Sequence, residues 1–341
     1  MNEDNAEIEV KGLQNIDVLN SHGSIEGIER MIHFYDNVQK GVPSDLRIVH
    51  YTIEGDPIVT DLSYAGESLE VKYDSTRDKF GSGEITKISC GDLIEEVNPT
   101  NTTYIAAGCT DVYYGMQKNL QIDYNMGQQD LFEFELKYGL NLENEINTLT
   151  NTVKEENSDN EMGIIGDLNI TVDQKQDVYK SLVFANYLGE KDLTTTCHTE
   201  GTMNYYLKVY INGGEGEFQW NACDQSAAGV KFTNIANDII KQAANKQQVQ
   251  TKVTVQGYVL EIKDNEMLIG EGLTMLDYEW MKEELHHMNF EDYIFDFTIL
   301  EGGDTKVFNP GDKILARIEG SIIDSKPNRA KVKEIKKIDL R

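Results

Sequence analysis

The sequence has little positive charge and no long apolar run. Acidic residues number 59 against 31 basic ones, so the 341-residue chain carries a formal net charge of −28. Such a surface repels nucleic acid phosphates and anionic lipid headgroups, so neither is an expected partner. No apolar stretch approaches the roughly 20 residues that a membrane-spanning helix needs. The opening residues, MNEDNAEIEVKG, lack a basic and an apolar region, so no signal peptide is expected and Met1 is either native or replaces an export segment.

The signatures of several enzyme classes are also missing. The chain has no G-x-S-x-G or S-x-x-K motif, no P-loop and no G-x-G-x-x-G loop. A zinc site is not expected, because the cysteines form no CxxC pair and HExxH is absent. His286-His287 is a vicinal pair whose side chains diverge on a helix, which favours a solvated face. No catalytic machinery is evident, so we expect a protein that is not an enzyme.

The four cysteines are Cys90, Cys109, Cys197 and Cys223. Among three possible connectivities, the local pairs Cys90–Cys109 and Cys197–Cys223 are favoured, since each falls within one domain and beside strands. Each bond would stabilise the fold by ~3 kcal/mol through loop entropy. Disulfides would place the chain outside the cytoplasm, whereas the alternative is four buried free thiols in a cytosolic protein.

Length and a 39% apolar content predict two or three domains with real cores. We expect an α+β, multi-domain protein of small antiparallel sheets with packed helices. The predicted parts are an acidic tail at 1–11, an α+β domain at 12–120, a second α+β domain at 121–248 with a linker near 154–163, and an OB-like five-stranded β-barrel at 249–341.

The first domain begins with a predicted helix that Ser24 caps and that Gly41 and Pro43 end. Alternating apolar residues then predict a three-stranded meander, completed by two further strands. The meander strands cover 46–53, 58–62 and 68–73, and the further strands cover 84–89 and 103–107.

The second domain mixes strand and helix patterns. Leu142, Ile146, Leu149 and Val153 lie at helical spacing, although poor helix formers separate them. Phe218 and Trp220 share a face of a predicted hairpin and are expected in the core. The other predicted elements are a strand at 130–138, helices at 174–188 and 230–244, hairpin strands at 204–211 and 217–222, and linkers at 154–162 and 242–250.

The last part reads as five strands around one helix that Asp277 caps. Gly257 within the long first strand is typical of a strongly bent barrel. The lysine-rich final strand is expected to be a solvated edge, because residues 252–341 hold 13 basic and 18 acidic residues and no aromatic interleaving for nucleic acid. The strands are predicted at 253–262, 267–270, 293–300, 312–319 and 331–338.

Two polar segments are candidate sites. Asp74, Thr76, Asp78 and Glu84 carry oxygen ligands at a spacing that resembles a calcium loop, although Lys79 stands where an EF-hand needs glycine. The alternative for this loop is a turn whose charges pair with one another. The second segment is a turn, in which Glu54 and Asp56 flank Gly55; there a solvated turn is favoured over acid–base chemistry.

The segments IDVLNSHGSIEGIERM (16–31), RIVHYTIEGDPIVTDLSY (47–64) and YDSTRDKFG (73–81), with Cys90 and Cys109, resemble an uncharacterised domain family of secreted lipoproteins from Bacillus-type Gram-positive bacteria. GYVLEI (257–262) and NPGDKILARIEGSIIDSKP (309–327) resemble the YobA-like domain of unknown function. The resemblance implies export, a lipid-modified N-terminal cysteine and attachment to the outer face of the cell membrane. This sequence lacks that cysteine; residues 2–9 would then be the tether.

The expected protein is therefore an extracytoplasmic binding or accessory module, attached to the cell envelope or secreted. Its partner would be a peptide, a protein or a cell-wall component, captured by strand addition at a sheet edge. No nucleic acid is expected, and a membrane only through a lipid anchor. No cofactor other than calcium is considered. The alternatives are a hydrolase of the cell wall or its glycans that uses Glu54, Asp56, Asp74 and Asp78, and a structural spacer.

Overall fold

The computed structural model describes residues 8–155, 164–197, 201–244, 253–287, 289–303 and 305–338. The fold is mostly β, with few helices and several small sheets. The chain divides into two compact units, one of Glu9–Asp123 with Gln250–Arg341 and one of Tyr124–Val249 with Met1–Ile8. The predicted linkers at 154–162 and 242–250 lie mostly outside the described residues. No helix in the described ranges is long and apolar enough to cross a bilayer.

The N-terminal region is built on a six-stranded sheet with the order β4-β3-β5-β6-β7-β8. A two-stranded sheet of β1 and β2 precedes it. The predicted meander is confirmed, since β5, β6, β7 and β8 pair antiparallel in sequence order. The elements are β1 (Ile8–Val10), β2 (Leu13–Ile16), β3 (Val18–Ser21), β4 (Ser24–Glu26), α1 (Ile28–Gln39), β5 (Ser44–Tyr51), β6 (Pro57–Tyr64), β7 (Leu69–Asp74) and β8 (Ile85–Cys90).

Helix α1 exists, but the predicted N-cap is wrong. The helix begins at Ile28 after Gly27, whose φ of 77° favours glycine, and Ser24 lies in β4. Ile25 is buried in the sheet and continues the apolar spacing of the helix by coincidence. A strand residue and a helix face therefore looked like one periodic pattern.

A second, three-stranded sheet follows, with the order β11-β10-β9. The predicted strand at 103–107 is confirmed, but it belongs to this sheet and not to the meander. The disulfide Cys90–Cys109 joins the end of β8 to the loop after β10. The strands are β9 (Asp92–Val97), β10 (Asn101–Ala107) and β11 (Met116–Asp123).

The other compact unit contains a six-stranded sheet with the order β15-β14-β13-β12-β16-β17. Trp220 and Tyr205 are buried on it, and the indole Nε1 of Trp220 donates to the Thr233 hydroxyl at 2.9 Å. The predicted core position of Trp220 and Phe218 is confirmed. The elements are β12 (Phe132–Gly139), β13 (Asn144–Asn147), β14 (Thr152–Glu155), β15 (Ile164–Asp167), α2 (Val172–Phe184), β16 (Asn204–Ile211), β17 (Gly214–Asn221) and α3 (Ala227–Ala244).

Two details of this unit differ from the sequence expectation. The helix that the spacing of Leu142 to Val153 predicts is wrong. Strands β13 and β14 form a hairpin there, in which Ile146 pairs with Val153. The intervening Asn and Thr residues are poor helix formers, and tertiary pairing decided the outcome. The β16–β17 turn is shorter than predicted, since Asn212 and Gly213 alone connect the strands, both with positive φ. The second disulfide joins Cys197 and Cys223.

The C-terminal strands close into a ring with the order β18-β19-β20-β22-β21. Gly257 is required in β18, because a Cβ there would lie 2.2 Å from the carbonyl oxygen of Gly270 in β19. The ring interior is filled by apolar side chains such as Val259, Ile269 and Leu300. The elements are β18 (Thr254–Lys263), β19 (Glu266–Glu271), α4 (Met275–Glu284), β20 (Phe297–Glu301), β21 (Lys313–Ile318) and β22 (Asn328–Lys337).

Two predictions for this region are wrong. The cap of α4 is Thr274, and Asp277 completes a capping box by accepting from the Thr274 backbone N–H. The lysine-rich strand β22 is not an edge along its whole length, because residues 328–331 pair with β20 and residues 332–337 pair with β21.

Within their common unit, the β9–β11 sheet and the ring are joined by a buried ion pair. Lys313 of β21 is 1% exposed and its Nζ donates to Glu96 Oε1 at 2.6 Å; Glu96 of β9 is 0% exposed. Lys313 also donates to Asn98 Oδ1 at 2.6 Å. Glu96 accepts further hydrogen bonds from the Tyr258 hydroxyl at 2.8 Å and the Met275 backbone N–H at 2.7 Å. Both charges are therefore paired and hydrogen-bonded where water does not reach them.

Removing one partner of this pair is expected to be costly. We predict that Lys313→Met lowers the free energy of unfolding by about 3–5 kcal/mol, because the carboxylate of Glu96 is left buried without its cation. Urea unfolding at pH 7 measures the change. The matched control is Lys87→Met, whose partner Glu70 is also largely exposed; it should cost at most ~1 kcal/mol. A loss for Lys313→Met no larger than the control's would contradict the prediction.

Candidate ligand-binding site

A polar groove of about 380 Å³ lies between the meander and β11. On the meander side, His50 of β5 pairs across the strands with Ile58 of β6, and Thr60 of β6 pairs with Tyr73 of β7. Because cross-strand partners share a sheet face, these four side chains form one wall. The opposite wall is β11, and Asn119 stands at its centre. The volume is at the lower end of the range for small-molecule sites.

The imidazole of His50 is held in one tautomer. Its Nε2 lies 3.1 Å from the backbone carbonyl oxygen of Asn119. A carbonyl oxygen accepts only, so Nε2 carries the hydrogen and Nδ1 of the neutral ring is an acceptor. Burial lowers the pKa of His50, and the hydrogen bond to the Asn119 carbonyl opposes that shift in part. At pH 7 the groove therefore presents a neutral imidazole with Nδ1 as an acceptor.

Asn119 is buried with one half of its amide unsatisfied. The side chain belongs to a residue that is 3% exposed, and its Nδ2 donates to the Gln117 carbonyl oxygen at 3.2 Å. Its Oδ1 is buried and has no hydrogen-bond partner among the described residues. An unpaired buried acceptor costs ~1–3 kcal/mol, so a water or a ligand in the groove would offset a real penalty by donating to it.

The charged residues at the groove are already engaged with a neighbour. Lys118 Nζ donates to Gln121 Oε1 at 3.2 Å, and Gln121 Nε2 donates to Asp123 Oδ1 at 2.7 Å. The chain of three side chains connects one cation to one anion along β11. The groove lining therefore carries one positive and one negative group, which balance.

The calcium candidates form a turn in the structure. Asp74 accepts from the Thr76 backbone N–H at 3.0 Å and from the Thr76 hydroxyl at 2.6 Å, and its other oxygen accepts from Arg77 at 3.0 Å. Asp78 accepts from the Phe80 backbone N–H at 2.9 Å, and Glu84 is joined to Ser75 through its backbone carbonyl. Within the described residues, no three His, Cys, Asp or Glu side chains converge as metal ligands. The geometry matches the self-paired alternative.

Two of the carboxylates proposed for acid–base work, Asp56 and Asp74, are held by neighbouring cations. The prediction that Asp56 lies in a solvated turn is wrong, because the residue is 7% exposed. Its carboxylate accepts from the Lys79 Nζ at 2.7 Å and from the Lys79 backbone N–H at 3.1 Å. The hydrogen bonds from Lys79 lower the pKa of Asp56. For Asp74, burial raises the pKa, but the bonds from Thr76 and Arg77 outweigh it and the net shift is downward. A general acid needs the opposite shift. Glu54 is exposed.

The two residues that define the groove were not among the sequence candidates. His50 appears in the sequence as one member of an alternating strand, and Asn119 falls where the pattern loosens after Cys109. The exposed pair His286 and His287 is solvated, as expected. His198, which follows Cys197, lies outside the described residues. A strand histidine facing a polar segment gives no local signal, because the two walls come from distant parts of the chain.

Two regions of the chain match family models, and both models describe groups of unknown function. Residues 15–105 match a family model described as a domain of unknown function, DUF4362. Residues 256–339 match a model described as a protein of unknown function, DUF3221. A search of curated proteins found no match. Among solved structures, the chain is similar to a crystal structure of a yobA protein from Bacillus subtilis subsp. subtilis str. 168, with 15% identity, 26% of this chain and 96% of that chain covered, and a TM-score of 0.20.

The lowered pKa of His50 gives a pH test. The ordinary pKa is 6.5, and the folded value is lower, so below about pH 6.5 the unfolded chain takes up a proton more readily than the folded one. Stability should therefore fall further between pH 7.5 and 5.5 in the wild type than in His50→Gln. Urea unfolding at both pH values measures the difference. The control His286→Gln, at an exposed position, should follow the wild type; identical pH dependence in all three proteins would contradict the assignment.

Proposed function

We propose that this chain is a binding or accessory protein of the cell envelope that works outside the cytoplasm. The observation that carries the proposal is the groove, in which the unpaired Oδ1 of Asn119 and the Nδ1 of neutral His50 are available to a ligand. Groups of this kind are arranged for recognition in small-molecule sites. We favour binding over hydrolysis. The carboxyl groups of Asp56 and Asp74, which a hydrolase would need, are bound to cations and have lowered pKa values.

The extracytoplasmic part of the proposal is supported by the two disulfides, since such bonds persist in oxidising compartments. We extend the proposal to a lipid-anchored protein of a Gram-positive cell. Its support is the resemblance of the segments around Gly55 and Gly311 to secreted lipoproteins. The OB-type description of the C-terminal ring belongs to the same proposal and is supported by the five strands and the close approach at Gly257.

The compartment can be tested with a thiol reagent. The unfolded, unreduced protein should react at none of its four cysteines, and the reduced protein at all four. The chain purified from its native cells is the right material, because it reports the compartment in which it folded. Four reactive thiols before reduction would contradict an extracytoplasmic location.

Binding to the envelope can be tested by sedimentation with purified Gram-positive cell walls. The wild type should sediment with the walls, and Asn119→Leu should not, because the buried acceptor is removed at similar volume. The control Asn141→Leu changes an exposed amide and should sediment like the wild type. Urea unfolding should show that Asn119→Leu is folded.

Two outcomes would contradict the proposal. Failure of the wild type to sediment would remove the envelope as its place of action. Equal sedimentation of Asn119→Leu and the wild type would remove the groove as the binding site and would favour capture of a strand by β8, which is an outer strand of its sheet.

A further inference from the structure

We infer that the groove takes a neutral ligand rich in hydroxyl groups, that is, a sugar residue of a glycan. This inference rests on the proposed binding function and names the class of ligand. It is drawn from the hydrogen-bonding capacity, the charge and the shape of the groove between β5–β7 and β11.

The groove offers acceptors, so its ligand must supply donors. Asn119 Oδ1 is a buried acceptor without a partner among the described residues, and His50 Nδ1 is the acceptor of a ring whose Nε2 hydrogen is already donated. Thr60, which is 4% exposed, also lines the groove and carries a hydroxyl. A hydroxyl both donates and accepts, which suits two acceptors beside one hydroxyl. A carboxylate or a fully ionised phosphate carries no proton to donate and would face two lone pairs.

The charge of the groove favours a neutral ligand over an ammonium. Asp123 supplies the carboxylate among the groove residues, and this carboxylate already accepts from Gln121. The ammonium of Lys118 donates to the same Gln121 side chain. An ammonium at Asn119 would be desolvated beside a neutral amide and a neutral imidazole, without a carboxylate to offset the cost. The net charge of −28 adds repulsion against any anionic ligand.

The shape of the groove also suits a sugar ring. Ile58 and Tyr73, both partly exposed, line it beside the polar groups. A pyranose presents an apolar C–H face and a polar rim, so the apolar side chains can contact the face while the amide and the imidazole accept from the rim. Its volume of about 380 Å³ accommodates one or two rings and not a long segment.

The test is a binding titration of the full chain, followed by calorimetry or by amide chemical shifts. The probes are tetramers of N-acetylglucosamine and of glucose, a lysine-containing peptide and inorganic phosphate. At least one tetramer should bind at pH 7.5, and Asn119→Leu should weaken it at least tenfold, while Asn141→Leu leaves it unchanged. Asn119→Gln keeps an amide and should recover part of the affinity.

The outcomes separate this inference from the proposed function. If cell walls bind through Asn119 but the peptide binds and neither tetramer does, the envelope function stands and the sugar assignment is overturned. Phosphate binding that Asn119→Leu removes would likewise overturn it. If a tetramer binds equally well to Asn119→Leu and the wild type, sugar binding does not use this groove and the inference fails.

Discussion

The buried pair of Lys313 and Glu96 is the interaction on which the larger compact unit depends. Burial lowers the pKa of Lys313, and the charge and hydrogen bond of Glu96 oppose that shift. The ammonium also lies 5.3 Å from the centre of the Tyr258 ring. Replacing such a pair with apolar side chains is often neutral, whereas removing one member is not. The pair therefore acts less as a source of stability than as a constraint, because the ring and the β9–β11 sheet must meet in the one register that satisfies both charges.

That constraint extends to the groove. Glu96 lies in β9, β9 pairs with β10, and β10 pairs with β11, which carries Asn119. The groove wall is thus two strands away from the residue that anchors the sheet to the ring. The residues matched by the two uncharacterised families contain the ion pair, Glu96 in one and Lys313 in the other. The wall formed by β11 lies outside both matched ranges, so a description of either region alone would miss the site.

The unpaired acceptor in the groove is held in place by hydrogen bonds to its neighbours. The unpaired acceptor of Asn119 costs stability, but Gln117 and the His50 ring hold the strand in position around it. Buried groups without a partner are rare in native proteins, and each one calls for an explanation such as a bound water, an ion or a functional role. The loops that looked most functional in the sequence carry no such cost, since Asp56, Asp74 and Asp78 all have partners.

The sequence by itself determined the local elements: the meander, the hairpin of β16 and β17, the buried Trp220 and the pairing of each cysteine with its neighbour. These depend on alternation, turn chemistry and short loops, which are properties of adjacent residues. Three predictions from the sequence were wrong. Ser24 and Asp277 are not the N-caps of α1 and α4, and the segment from Leu142 to Val153 is a hairpin, because strand pairing overrides its helical spacing. Only the tertiary structure decided that Lys313 meets Glu96 and that Asn119 faces His50. These contacts join residues 217 and 69 positions apart, and no local pattern specifies which distant partner a buried charge or amide will meet.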